Sequence, residues 1–303
     1  MSNIADKLNY LNDTKKAIKT AISNRGVVVS DDDTFRSYAD KIDNIGETVE
    51  KTKYGVGIDS FLGDVDANGE YIPPSVPYEL NLSGIKSVAL GKTLSYKFSY
   101  TKVKKVIIND LVSVSSYSFS SAFSGCLSLE EALIESLEEI SSGEGPFGST
   151  FSSCTSLKTV KFSRLKKVSS LNAFQNCFSG CPVLRFDEVF PELEEIDGMS
   201  AFNNFVTYGR YATTTAVTPI RFPKLKKITG RTSNSSTPFG NIYYKGLVWE
   251  FPSATEFTGY IWNATASYPG EIHFAAENQA AIEACDGYDM KWGFTNATIY
   301  FDL

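Results

Sequence analysis

Phe190-Pro191-Glu192-Leu193-Glu194-Glu195-Ile196-Asp197-Gly198 returns as Phe222-Pro223-Lys224-Leu225-Lys226-Lys227-Ile228-Thr229-Gly230, and again as Phe251-Pro252-Ser253-Ala254-Thr255-Glu256-Phe257-Thr258-Gly259. Looser copies run back through 162–168, 134–140 and 108–114 to 82–88. The apolar anchor of each copy falls at Ile85, Leu111, Leu137, Leu165, Leu193, Leu225 and Ala254, at intervals of 26, 26, 28, 28, 32 and 29 residues. A period in the twenties belongs to stacked coils, because so short a unit must bury its apolar edge on the next one. The expected fold is therefore a repeat solenoid of β-rich coils over residues 78–274.

A second block recurs between the anchors: Phe123-Ser124-Gly125-Cys126-Leu127-Ser128-Leu129, then Phe151-Ser152-Ser153-Cys154-Thr155-Ser156-Leu157, then Phe178-Ser179-Gly180-Cys181-Pro182-Val183-Leu184. This order of aromatic, Gly-Cys and leucine resembles the BspA-like branch of the leucine-rich repeats. The later aromatics Phe202 and Phe239 stand without the Gly-Cys. In the coil that the resemblance implies, Leu157-Lys158-Thr159-Val160-Lys161-Phe162 is a strand with alternate residues inward, and the Phe-Ser-Gly-Cys part is a turn or short helix opposite. Cys126, Cys154 and Cys181 occupy one repeat position. Equivalent residues of coils in register lie about 4.8 Å apart, a spacing that a disulfide can bridge. An odd ladder in a cytosolic product is nonetheless expected to be buried thiols.

The charges between the anchors alternate in sign from copy to copy. Glu138-Glu139 is followed by Lys166-Lys167, Glu194-Glu195 and Lys226-Lys227, and Lys104-Lys105 by Glu130-Glu131 and Lys158. Stacking then sets each pair against its opposite, and a slip of one coil would set like against like. This face is expected to be a solvated wall. The two stretched intervals contain Asn204-Phe205-Val206-Thr207-Tyr208-Gly209-Arg210-Tyr211 and the segments 234–236 and 241–244. Insertions in a solenoid map to loops on one side, and Tyr, Ser, Thr and Asn suit adaptable contact. Tyr208, Tyr211, Tyr243, Tyr244, Trp249, Tyr260 and Trp262 are the candidate partner-binding residues.

Residues 1–46 read differently. Ile4, Leu8, Leu11, Lys15, Ile18 and Ile22 follow the 4-3-4-3-4 spacing of a coiled-coil seam, with Lys15 interrupting it. Asn24-Arg25-Gly26 supplies a stop, Val27–Val29 a short extended piece, and Ser30-Asp31-Asp32-Asp33-Thr34 the N-cap of a second helix with Phe35, Tyr38, Ala39 and Ile42 on its apolar face. The candidate assembly residues are Ile4, Leu8, Leu11, Ile18, Ile22, Phe35, Tyr38 and Ile42. The stretch Lys7-Leu8-Asn9-Tyr10-Leu11-Asn12-Asp13-Thr14-Lys15-Lys16-Ala17-Ile18, with Asp33-Thr34-Phe35-Arg36-Ser37-Tyr38-Ala39-Asp40-Lys41-Ile42, resembles an N-terminal module of bacteriophage tail and virion-surface proteins.

Residues 47–77 form a connector. Asp64-Val65-Asp66-Ala67-Asn68-Gly69 opens like a calcium loop, but Ser75 stands where a bidentate glutamate is required, so Asn68-Gly69 reads as a hairpin turn. Pro73-Pro74 and Pro77 stiffen the entry to the repeats. Residues 275–303 are expected to cap the array, with a helix over 275–284 and a strand over 298–301.

Composition excludes several classes. A net charge of −6 and a pI near 5.1 leave no basic footprint for nucleic acid or an anionic membrane. No apolar run reaches the ~18 residues of a membrane span, and the N-terminus lacks a signal-peptide layout, so the expectation is a product not exported by a leader of its own. His273 is the only histidine and Cys177-x3-Cys181 lacks a second pair, which argues against zinc and against Ser-His or Cys-His chemistry. Gly91-Lys92-Thr93 ends like a phosphate loop, but Lys86 occupies the upstream glycine position. No enzyme, metal or cofactor is expected. The resemblances imply a virion protein that forms a homotrimer and joins other virion proteins through its N-terminus. Its solenoid would meet a host-surface protein or glycan. A bacterial cell-surface adhesin and a purely structural virion component are the alternatives.

Overall fold

The computed structural model describes residues 4–23, 30, 38, 73, 75–88, 94–204, 219–233, 236–242, 246–264 and 269–303. The chain divides into two compact units, Met1–Phe61 and Leu62–Leu303. In the first, helix α1 spans Ile4–Ser23, as the heptad spacing predicts, and ends just before the Asn-Arg-Gly stop. Tyr10 and Leu11 are exposed on it and Ile18 is half buried. Tyr38 is helical and buried, so its ring is already covered within one chain and is not a free assembly contact. Phe35, Ile42, the extended piece 27–29, most of the connector 47–77 and the glycine-lysine run 91–93 lie outside the described residues.

The second unit is a β-solenoid of about seven turns. Its strands are β1 (Tyr78–Asn81), β2 (Val103–Ile108), β3 (Glu131–Ile134), β4 (Glu139–Ile140), β5 (Thr159–Phe162), β6 (Lys167–Val168), β7 (Glu195–Ile196) and β8 (Ile220–Arg221). They continue as β9 (Lys227–Thr229), β10 (Asn241–Ile242), β11 (Leu247–Phe251), β12 (Glu256–Thr258), β13 (Asn263–Ala264) and β14 (Gly270–Phe274). Helix α2 (Gln279–Glu283) and β15 (Ala297–Phe301) follow. Among the described residues the named strands pair in parallel from one coil to the next, as in β2 to β3 with Lys105 against Glu131, and a lone bridge between Arg231 and Tyr260 is antiparallel. The anchors Ile85, Leu111, Leu137, Leu165, Leu193, Leu225 and Ala254 are all buried.

One wall carries the longer strands. It is split into two four-stranded sheets, β1-β2-β3-β5 and β8-β11-β14-β15. Between them, Phe186–Glu188 forms a 3-10 turn in the strand slot, held by Arg185 N donating to Lys158 O and Phe162 N to Val189 O. The cause is an added residue. Leu157 and Phe162 are five apart, whereas the equivalent Leu184 and Phe190 are six apart, so the backbone buckles and turns Phe186, Val189 and Phe190 all inward. The second wall is the five-stranded sheet β4-β6-β7-β9-β12, built from the motif's second half.

Phenylalanine fills the interior in three columns. Phe98, Phe123, Phe151 and Phe178 stack at centroid spacings of 5.3, 5.8 and 5.9 Å. Phe119, Phe147, Phe174 and Phe202 stack at 5.2, 5.5 and 5.1 Å. The motif phenylalanines Phe162, Phe190, Phe222 and Phe251 follow at 5.4, 5.9 and 5.7 Å. Phe274 and Phe301 extend this last column. The segment 275–303 thus adds a strand to the stack: β15 pairs with β14 from Ala297 to Phe301. Its helix is shorter than the sequence suggests, with a 3-10 turn at Ala276–Asn278 leading into α2.

Candidate functional site

In the coils up to Asn204 the described third side is neither strand nor helix, and in the later ones it carries the short pair β10 and β13. In the earlier coils it is a run of interlocked turns in which alternate amides take different partners. Ser118, Ser120, Ala122, Ser124 and Cys126 donate to the carbonyl three residues back. Tyr117, Phe119, Ser121, Phe123 and Gly125 donate to Glu144, Pro146, Gly148, Thr150 and Ser152 of the next coil, at 2.8–3.0 Å. Every fourth residue has positive φ: Tyr117, Ser121 and Gly125 in one coil, Gly145, Ser149 and Ser153 in the next, then Asn172, Asn176 and Gly180. Positive φ at the third residue is the mark of a type II turn and favours Gly and Asn. Such spacing excludes the short helix that the sequence left open.

The thiols are consumed by this side. Cys126, Cys154 and Cys181 donate from Sγ to the carbonyls of Phe98, Phe123 and Phe151 at 3.0, 3.1 and 3.0 Å. Burial raises the Cys126 thiol and pushes Cys154 and Cys177 well above the usual cysteine range, so these groups stay as unreactive thiols.

The charged wall forms as its alternation predicts. Glu130 lies between Lys104 at 3.7 Å and Lys158 at 3.0 Å. Lys167 meets Glu195 at 3.1 Å, and Lys226 meets Glu194 at 2.7 Å. Lys158 and Lys226 hold the carboxyls of Glu130 and Glu194 below the usual glutamate value. A lowered folded value means stability that is present above the ordinary glutamate range and lost as pH falls through the folded value. Glu138 accepts from both Arg164 and Lys166. Glu138→Lys should therefore cost about 1 kcal/mol in urea unfolding at low salt, shrinking in 1 M salt. Equal midpoints at neutral pH would show that the wall does not set register.

His273, in β14, has Nδ1 at 2.7 Å from Asp302 and Nε2 at 3.2 Å from Glu271, and its ring stacks on Tyr300 at 4.6 Å. The ring clamps the last strand onto the stack. Among the described residues, no group of His, Cys, Asp and Glu is placed to hold a metal ion, and no helix is long and apolar enough to cross a membrane.

The sequence-derived contact residues fare unevenly. Trp249 and Trp262 are 1% and 0% exposed and pack on Phe239 at 4.7 and 5.5 Å. They are corrected to core: Trp262 continues the column of Phe202 and Phe239, and Trp249 fills the inward strand position that Ile220 and Ile272 hold in the flanking coils. Tyr260 is half buried with its hydroxyl on Met290 Sδ. Tyr208, Tyr211, Tyr243 and Tyr244 lie outside the described residues.

No protein-family model matches the chain, and no curated protein sequence matches it. The site therefore rests on its own geometry.

That geometry singles out residues which the period concealed. Tyr96, Tyr100 and Tyr117 have φ of 58°, 59° and 56° and are 69%, 82% and 46% exposed. The Tyr100 ring lies over Gly125, where a Cβ would come within 2.4 Å of it, and the Tyr117 ring lies over Gly145. The signal that could have found them is positional: tyrosine stands in columns that later coils fill with Gly, Ser and Asn.

Proposed function

We propose that the chain is a non-enzymatic virion protein of a bacteriophage, assembled through its N-terminal helical unit as a homotrimer and displaying a BspA-like leucine-rich solenoid for contact with the host surface. The observation that carries the reading is the division of labour in the chain. A separate compact unit bears a 20-residue helix with an apolar seam in its sequence, and the other unit is a solenoid whose thiols Cys126, Cys154, Cys177 and Cys181 are buried and whose wall charges pair from coil to coil. The resemblance of residues 7–18 and 33–42 to phage tail modules supports the same reading. A helix of that length is about 30 Å long, and the heptad spacing of Leu8, Leu11 and Ile18 in its sequence suits a short trimeric coil supported by the rest of the unit.

The test uses the full chain. Light scattering after size exclusion should give three times the 33.3 kDa chain mass, and the double variant Leu8→Asp, Leu11→Asp should run as a monomer with unchanged circular dichroism. A monomeric wild type would remove the assembly role. Mass spectrometry of particles induced from the strain that encodes the chain should find it in the particle, and its absence there would remove the virion reading.

A further inference from the structure

We infer that the turn face of the first coils is a binding platform for an uncharged glycan, with Tyr96, Tyr100 and Tyr117 as its stacking residues. Three observations converge on it. The first is conformational. A bulky residue in the left-handed region is disfavoured by about 1 kcal/mol or more, and three tyrosines hold it here within 22 residues. Their counterparts one coil on are small: the hydrogen-bond ladder places Ser121 after Tyr96, Gly125 after Tyr100 and Gly145 after Tyr117. The second is exposure. Tyr96 and Tyr100 are mostly exposed, so their rings return little burial for the backbone conformation, while Tyr117 is about half covered and its hydroxyl bonds to Glu144. The Tyr100 and Tyr117 rings lie across glycines of the next coil, with one face on the backbone and the other free to stack.

The third observation is charge, which selects the partner. In the turn segments 94–100, 117–125, 145–153, 172–180 and 200–204, Lys97 is the one charged residue, against 21% for the whole chain, and the carboxylate of Glu144, at the edge of this face, accepts from the Tyr117 hydroxyl. The half-exposed side chains behind the tyrosines are Ser120, Ser124, Ser149, Ser152, Gln175 and Asn176, hydroxyls and amides at the regular spacing of the coils. One lysine on the face and one carboxylate at its edge, already bonded to a tyrosine, are too few to steer or pair a polyanion or a charged protein patch. Aromatic faces beside neutral hydrogen-bonding groups match the apolar ring faces and hydroxyl edges of neutral sugars. This site deepens the proposed host contact and rests on that reading.

The test is an array of neutral, sialylated and sulfated glycans probed with the labelled full-length chain. Wild type should bind neutral glycans only. The variant Tyr96→Ser, Tyr100→Gly, Tyr117→Asn places in each column a residue type that the columns use elsewhere. It should lose at least tenfold in binding while its unfolding midpoint stays level or rises. Neutral-glycan binding that survives in this variant overturns the platform, as does a wild type that binds only acidic glycans or none. Binding to intact cells that resists periodate but not protease would overturn it in favour of a protein partner. Presence of the chain in particles is measured separately, so loss of this site leaves the virion reading standing, and loss of that reading leaves the array result intact.

Discussion

Phe174→Ala should divide the solenoid's unfolding into two steps and cost about 3–5 kcal/mol. Phe174 is fully buried at the crossing of two phenyl columns. It stacks on Phe147 and Phe202 at 5.5 and 5.1 Å and meets Phe162 and Phe190 edge-on at 5.1 Å each. Each of these pairs joins or closes neighbouring coils, and in a solenoid the coupling between neighbours is what makes unfolding cooperative. An alanine there leaves a void between rigid backbone ladders that cannot collapse into it. The three tryptophans, Trp249, Trp262 and Trp292, all sit in the later coils, so their fluorescence reports on that end while far-ultraviolet dichroism reports on the whole array. Wild type should give coincident urea transitions by the two probes, and the variant should separate them. Coincident curves with a loss below about 1 kcal/mol would mean that the columns do not couple the coils.

Gly230→Ala should cost about 3 kcal/mol, at the upper end of what one added methyl imposes. Gly230 closes the repeating motif, and its amide donates to Thr258 O at 2.7 Å. A Cβ built on it would fall 2.2 Å from that oxygen and 2.5 Å from Tyr260 O. Both obstacles are backbone of the next coil, so relief requires the coils to part and the ladder to stretch. At Gly198, in the same motif position, a built Cβ would fall 2.5 Å from Ser170 O. Gly246 is the control. It has φ of +73° with nothing within 4 Å of a built Cβ, so Gly246→Ala should show only the left-handed penalty of about 1 kcal/mol. Thermal and urea midpoints of the two variants separate the effects, and equal losses would remove close approach as the reason for the motif glycine.

These effects show why the period was so legible. The anchors, the motif phenylalanines and the alternating charge pairs each depend on contact with the residue one coil away, so each leaves a mark once per coil. The helix over residues 4–23 follows from local spacing, and the strand Thr159–Phe162 lies within the segment 157–162 of the coil that the resemblance implied. The buckled strand at 186–188 was harder to see, since a single added residue keeps the hydrophobic content unchanged. The contact tyrosines were hidden for another reason. An exposed ring and a buried one look alike in composition, and an aromatic in a repeat is ordinarily core, as Trp249 and Trp262 prove to be.

By itself the sequence determined that the chain is a solenoid, how many anchored coils it has, and which charges meet, because parallel stacking converts a linear period directly into neighbours. Only the tertiary structure decided which aromatics are inside. That depends on the sign of φ at every fourth residue of the turn face, where Tyr96, Tyr100 and Tyr117 take the left-handed conformation and their rings leave the core. It also decided that residues 297–301 extend the sheet, since pairing across a coil is fixed by backbone register rather than by the side chains of one strand.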